Sequence, residues 1–337
     1  MPIIHVENLV KEFRRPKQFD GPFAGLRSFF TREFETTRAV EGVSFDIEEG
    51  ELIGYLGANG AGKSTSIKML SGILTPTSGT VTVAGLVPWE KREENALQIG
   101  VVFGQRTQLW WDLPLSHSLN LIGKLYRVEP QRFRRNLDTM IELLGLAPFM
   151  ATPVRQLSLG QRMRGDLAAA MIYEPRILYL DEPTVGLDVV AKERTRQFIE
   201  QINHDTSTTI MLTSHDLADV ERLCKRIIFI DKGAVLYDGA VDVLKRRFAP
   251  TRSLNITLAE NSVATGQSEM AVADFPGVAS IERGELTVHI EFDPQRIAVA
   301  ELIAAVIARY QVSDIAIVEP DLETVVREIV ETGDARS

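Results

Sequence analysis

The sequence of 337 residues is nearly devoid of cysteine, with Cys224 alone. That excludes an internal disulfide framework and suits a reducing compartment. Long apolar runs are missing too. The best candidate, residues 297–310 (IAVAELIAAVIARY), carries Glu301 and Arg309, so no segment is expected to cross a membrane. The N-terminus MPIIHVENLVKEF lacks the charged-then-apolar order of a signal peptide. Excess positive charge is absent: the net charge is −9, residues 1–250 are balanced, and residues 251–337 hold 15 acidic side chains, six Arg and no Lys. This disfavours binding of nucleic acid through charge, and the acidic C-terminal part reads as a solvated surface. No internal repeat is visible. What remains is ordinary globular composition, 45% hydrophobic and 25% charged, long enough for about two domains with large cores.

Residues 3–13 alternate as an edge strand would. Residues 14–38 read as an insertion rich in Phe and Arg, broken by Gly21, Pro22 and Gly25, with room for one short amphipathic helix around Leu26–Phe34. Strand signals resume at 43–47 (VSFDI), and a buried strand (52–57, LIGYLG) leads into a glycine-rich loop and a helix over about 63–71. From about 107 to 172 the pattern is helical, with Pro130 at a first helical position and Gly145 at a C-terminal cap. Apolar strands at 177–180, 208–212 and 226–230 alternate with helices, which indicates an α/β core with a parallel sheet. Ala249-Pro250-Thr251 reads as a linker to a small α+β module of ferredoxin-like βαββαβ order with one added helix. The expected domains are thus 1–248 and 252–332.

Three motifs carry chemistry. Gly57-Ala58-Asn59-Gly60-Ala61-Gly62-Lys63-Ser64-Thr65 fits G-x-x-x-x-G-K-[ST] between a buried strand and a helix. Its glycines let backbone N–H groups close around phosphate oxygens, while Lys63 can reach the β- and γ-phosphates and Ser64 can ligate Mg²⁺. An apolar strand then ends in two acids, Asp181 and Glu182. Asp181 is suited to hold Mg²⁺ and Glu182 to polarise an attacking water as general base. Finally, Ser158 and Gly160 in QLSLGQRMRGDLAAA open a helix, where N–H groups and the hydroxyl form an anion site.

Together these residues resemble the ATP-binding subunit of an ABC transporter, whose signature is usually LSGGQ. The resemblance covers 1–248, with a helical subdomain at about 107–172, and implies a P-loop NTPase core that binds ATP and Mg²⁺. It implies that Gln105 is the Q-loop residue linking γ-phosphate and metal to the helical subdomain. Ser158, Gly160 and Gln161 would form the signature, Gly186-Leu187-Asp188 the loop crossing a dimer interface, and His215 the γ-phosphate switch. Each ATP would lie between the phosphate loop of one subunit and the signature of another, so a second ATPase subunit and separate membrane permease subunits are expected, at the cytoplasmic face of the membrane. The aromatic stacking on adenine is either Phe13 or Phe34. Leu159 departs from the family by replacing the first glycine of LSGGQ, bringing a Cβ toward the phosphate groove.

The tail EPDLETVVREIV (319–330) is similar to the tail of ABC-2 exporters of the daunorubicin-resistance type, and the Phe/Arg insertion at 14–38 and the sequence LSLGQRMR are similar to a branch of uncharacterised ABC-2 ATPases. Export is therefore the expected direction; an importer ATPase, or a soluble ABC ATPase without a transport role, is the alternative. Trp110 and Trp111, just after Gln105, are candidate anchors for a permease.

Overall fold

A computed structural model describes residues 1–16, 34–104, 106–248, 251–259, 276–308 and 310–332. It divides into two compact units between Gly239 and Ala240.

The first unit runs β1 (Ile4–Pro16), β2 (Phe34–Ile47), β3 (Leu52–Gly57), α1 (Lys63–Leu70), β4 (Ser78–Val83), α2 (Arg92–Gln98) and β5 (Ile99–Phe103). The helical segment follows as α3 (Leu115–Leu125), α4 (Pro130–Leu144) and α5 (Leu159–Met171). Then come β6 (Ile177–Asp181), α6 (Val189–Thr206), β7 (Thr209–Thr213), α7 (Leu217–Leu223), β8 (Arg226–Asp231) and β9 (Ala234–Ala240).

β1 and β2 form an antiparallel ribbon from Ile4↔Ile47 to Pro16↔Phe34, and β4 pairs with the other edge of β1. Val6 and Leu9 are both buried although strict alternation would place them on opposite faces. Register shifts between Val6 and Val10, with Asn8 at φ 48°, turn both inward. Phe34, expected at the end of a short helix, instead opens β2, and Arg14 to Pro16 continue β1. The flanks Phe34–Arg38 are exposed, so no buried face marked them as strand in the sequence. The rest of the expected insertion, residues 17–33, lies outside the described residues.

The six-stranded sheet has the order β5-β6-β7-β3-β8-β9. β5/β6, β6/β7, β7/β3 and β3/β8 are parallel, as the alternation of strands and helices requires. In register, Phe103 lies beside Asp181 and Asp181 beside Thr213. The carboxyl ends of four strands thus share one edge, and β3 sits where the strand order switches, the place where open α/β sheets take ligands.

Within the helical segment, Glu129 caps α4 by accepting from Gln131 N (2.9 Å) and Arg132 N (2.8 Å), Pro130 is its first residue, and Gly145 ends it at φ 59°. These are the expected start and stop signals.

The second unit comprises α8 (Val241–Phe248), β10 (Arg252–Leu258), β11 (Val278–Arg283), β12 (Thr287–Phe292), α9 (Val299–Ile307), β13 (Val312–Val318) and α10 (Leu322–Thr332). Its sheet is antiparallel throughout, in the order β11-β12-β10-β13, the order of a ferredoxin-like split βαβ arrangement. Leu254, Ile256, Ile290 and Phe292 pack against Leu302 and Val306 of α9. α8 packs with α10, so it belongs to this unit; the first crossover helix of the expected order falls on residues outside the described ones. Among the described residues, no helix is long and apolar enough to cross a membrane.

Candidate functional site

β3 delivers the chain to the glycine loop at its carboxyl end. A Cβ at Gly57 would strike the carbonyl of Ile230, and one at Gly62 (φ 107°) the carbonyl of Ala39, so only glycine fits either place. The loop is also pinned from outside: Gly233 N donates to Ala61 O (3.1 Å), and Glu41 N donates to Gly233 O (2.7 Å). Gly62 caps α1 without any side-chain hydrogen bond, leaving the helix N-terminus to the loop. Lys63 is buried, and its Nζ donates to Gly57 O (2.6 Å) and Ala58 O (3.1 Å). Burial pulls its ammonium below the usual lysine range, while Glu182 and Asp181 pull it back up. A polyphosphate beside Lys63 would oppose that desolvation further.

At the end of β6, Asp181 Oδ1 accepts from Thr213 Oγ1 (2.6 Å), and Glu182 N donates to Thr213 O (3.1 Å). Glu182 has left-handed backbone, φ 57°, and its Oε1 is in direct contact with Nε2 of His215. Ser64, Gly104, Arg106, Asp181 and Glu182 line one open cleft of about 390 Å³. Gly104 N donates to Asp181 O (2.8 Å), and a Cβ on Gly104 would stand 2.5 Å from Glu182 O. This close approach delivers the chain to position 105; Gln105 itself lies outside the described residues.

Ser158 caps α5 in a reciprocal capping box, its Oγ accepting from Gln161 N (3.2 Å) and Gln161 Oε1 accepting from Ser158 N (2.9 Å). Asp188 caps α6 by accepting from Ala191 N (2.8 Å). Among the described residues, no hydrogen bond or ion pair joins residues 158–161 to residues 57–65. The structure brings Lys63, Ser64, Asp181, Glu182 and His215 to one strand edge and leaves the signature apart from them. Phe13 is half-buried with Lys11 Nζ 5.3 Å from its ring, whereas Phe34 is 57% exposed.

The sequence profile of the ABC transporter family matches residues 40–185. The linearmycin resistance ATP-binding protein LnrL of Bacillus subtilis (strain 168) is 30% identical over 285 residues, 84% of this chain and 91% of its own. The daunorubicin resistance ATP-binding protein DrrA3 of Streptomyces coeruleorubidus is 34% identical over 245 residues, 73% of this chain and 75% of its own. Among solved structures, a dimeric ATP-binding cassette in a post-hydrolysis state bound to ADP and Pi superposes with a TM-score of 0.59 at 25% identity, over 71% of this chain and 98% of that one.

The chain belongs to the ABC transporter ATPases. Its activity is ATP binding and hydrolysis coupled to transport, carried on the family's α/β core.

Several residues of this ABC ATPase that tie the site together escaped the sequence reading. Asp166 in α5 is buried, and its Oδ1 accepts from Thr107 Oγ1 (2.9 Å) and Gln108 N (3.0 Å), fastening the segment after position 105 to the signature helix. Burial pushes this carboxyl up to about 6, against the pull of Gln108 N–H, the Thr107 hydroxyl and Arg162. An acid inside the apolar run G-D-L-A-A-A was its signal. Likewise, buried Asp219 holds Arg196 of α6 (Nε at 2.6 Å) and the hydroxyl of Thr184, and Lys192 pairs with Asp216 beside His215. The segment after Glu182, the start of α6 and the His215 turn are therefore cross-linked. Trp110 and Trp111 are 42% and 50% exposed, and the Arg162 guanidinium lies 5.4 Å from the Trp111 ring.

Proposed function

We propose that this ABC ATPase drives an ABC-2 type exporter from the cytoplasmic face of the membrane, docked on separate permease subunits and paired with a second ATPase subunit. The observation that carries the site is the single cleft shared by Ser64, Asp181 and Glu182, with Lys63 at its phosphate loop. The resistance functions in the names of LnrL and DrrA3, and the ferredoxin-like second unit, support export.

In this reading the loop 57–65 wraps the ATP phosphates with backbone N–H groups, and Lys63 exchanges the carbonyls of Gly57 and Ala58 for β- and γ-oxygens. Ser64, Asp181 and Gln105 would hold Mg²⁺. The hydroxyl and carboxylate donors fit a hard cation, and Mg²⁺ commonly binds through one or two carboxylates plus substrate phosphates. When bound, the ion neutralises charge on the β- and γ-oxygens. Glu182 takes the proton of the attacking water, and His215, in contact with it, orients that carboxylate toward the γ-phosphate. Ser158, Gly160 and Gln161 close over the nucleotide of the partner subunit, with Asp188 beside them at the interface.

Phe13 stacks on adenine rather than Phe34. Phe13 pairs with Thr37, two residues from the Ala39 carbonyl that limits Gly62, whereas Phe34 lies five residues away along β2, about 17 Å at the usual strand rise. Trp110 and Trp111 offer the permease an aromatic contact.

The test is Glu182→Gln with Mg-ATP. Hydrolysis is expected to collapse by a hundredfold or more, on the order of one lost general base, while ATP drives the protein into a stable dimer. Lys63→Ala in the same background should lose ATP binding. Unchanged turnover in Glu182→Gln, or normal ATP affinity in Lys63→Ala, refutes the assignment.

A further inference from the structure

The one departure from the family signature, Leu159, has a specific neighbour. It is the first residue of α5 and half-buried. A Cβ built on Gly186 would stand 2.8 Å from Leu159 Cδ2, and among the described residues no other atom beyond the chain neighbours comes within 4 Å of that point. Gly186 itself is left-handed, φ 72°. One residue along α5, a Cβ on Gly160 would stand 2.9 Å from Ala191 Cβ and 3.9 Å from Leu187 Cδ2. The first turn of α5 is thus pressed onto residues 186–191, where Asp188 caps α6 through Ala191 N. Bulk at 159 is matched by its absence at 186.

We propose that Leu159 is a positioning residue that interlocks the signature with the Gly186–Asp188 loop of the same subunit. The two surfaces this subunit offers to its partner's nucleotide then move as one body. With glycine at 159, the side chain that faces the open side of the left-handed turn at Gly186 is lost, and the loop must be ordered separately each time the dimer closes. Any side chain at 186 would instead be driven into Leu159. The inference rests on the proposed ATP-driven dimer and adds the residue that couples its two halves within one chain.

The experiment is a double-mutant cycle in the Glu182→Gln background, with Leu159→Gly, Gly186→Ala and both together. ATP-dependent dimerisation is read by sedimentation, ATP affinity of the separated subunit by anisotropy of a fluorescent ATP analogue, and folding by thermal melting. Leu159→Gly should weaken dimerisation about tenfold, within the range of coupled neighbours, and leave the separated subunit's ATP affinity within about twofold. Gly186→Ala, which adds the clash and backbone strain, should weaken it about fiftyfold or more, and adding Leu159→Gly should recover about fivefold by removing the clash. Backbone strain at position 186 is common to both alanine variants, so recovery reports the side-chain contact alone. Leu159→Met, which keeps reach and volume, should dimerise within about threefold of the parent. A parent that dimerises while the two substitutions act independently, or a Leu159→Gly protein that dimerises normally, overturns the interlock alone. A parent that stays monomeric with ATP overturns the dimer reading and the interlock with it.

Discussion

Replacing Asp166 by Asn tests the link between the signature helix and the segment after position 105. The amide oxygen can accept from Gln108 N–H and Thr107 Oγ1 as the carboxylate Oδ1 does, so the substitution removes charge while leaving those acceptors in place. In the folded chain, burial raises the carboxyl from 3.8 to about 6. Because this folded value lies above the unfolded one, the folded state binds the extra proton between about pH 4 and 6. Stability therefore falls as pH rises through that window and stays lower above it. At about 1.4 kcal/mol per tenfold change in acid dissociation, the fall is about 3 kcal/mol. Asn does not titrate, and at pH 4 the unfolded carboxyl is already more than half ionised, so the stability of Asp166→Asn relative to the natural protein should shift by about 2.4 kcal/mol in favour of the variant between pH 4 and pH 7. Differences in hydrogen bonding or in the pull of Arg162 on a neutral amide offset the two curves but do not create that slope. Urea unfolding at pH 4, 5, 6 and 7.5 measures it, with Trp110 and Trp111 as reporters beside the bonded segment. A relative stability that is flat with pH, or that turns against the variant as pH rises, refutes the burial argument.

Two further substitutions probe the site. Gly104→Ala places a methyl 2.5 Å from Glu182 O, so it should cost about 1–3 kcal/mol of stability and lower kcat far more than ATP affinity; a variant with normal kcat rules out the close approach as a determinant of Glu182. Phe13→Ala should weaken ATP binding about tenfold, the scale of one base-stacking contact, whereas Phe34→Ala should stay within about twofold. Titration with a fluorescent ATP analogue distinguishes them, and the reverse order assigns the platform to Phe34.

The parts legible in the sequence were those whose cause is local. Gly57–Thr65 sits between its own strand and helix, Pro130 and Gly145 bracket α4, and Ser158 with Gln161 closes a capping box within four residues. The parallel core followed from apolar strands spaced by helices. The β1–β2 ribbon was not legible over residues 34–38, because its pairing is across the chain and its exposed polar flanks carry no buried alternation. Gly104, Asp166 and Asp219 were missed for a related reason. Each acts on a partner distant in sequence, and nothing beside it in the chain announces that partner.

Glu182 holds its carboxylate on a left-handed backbone, a conformation that costs an ordinary side chain roughly 1 kcal/mol and that glycine, asparagine or aspartate tolerates better. Function and comfort therefore pull in opposite directions at this position. A duplicated copy of the subunit, released from hydrolysis because its partner does the chemistry, would gain stability by drifting to one of those residues. The backbone thus biases such a pair toward asymmetry, with one site kept tense for turnover and the other relaxed into a holder of nucleotide.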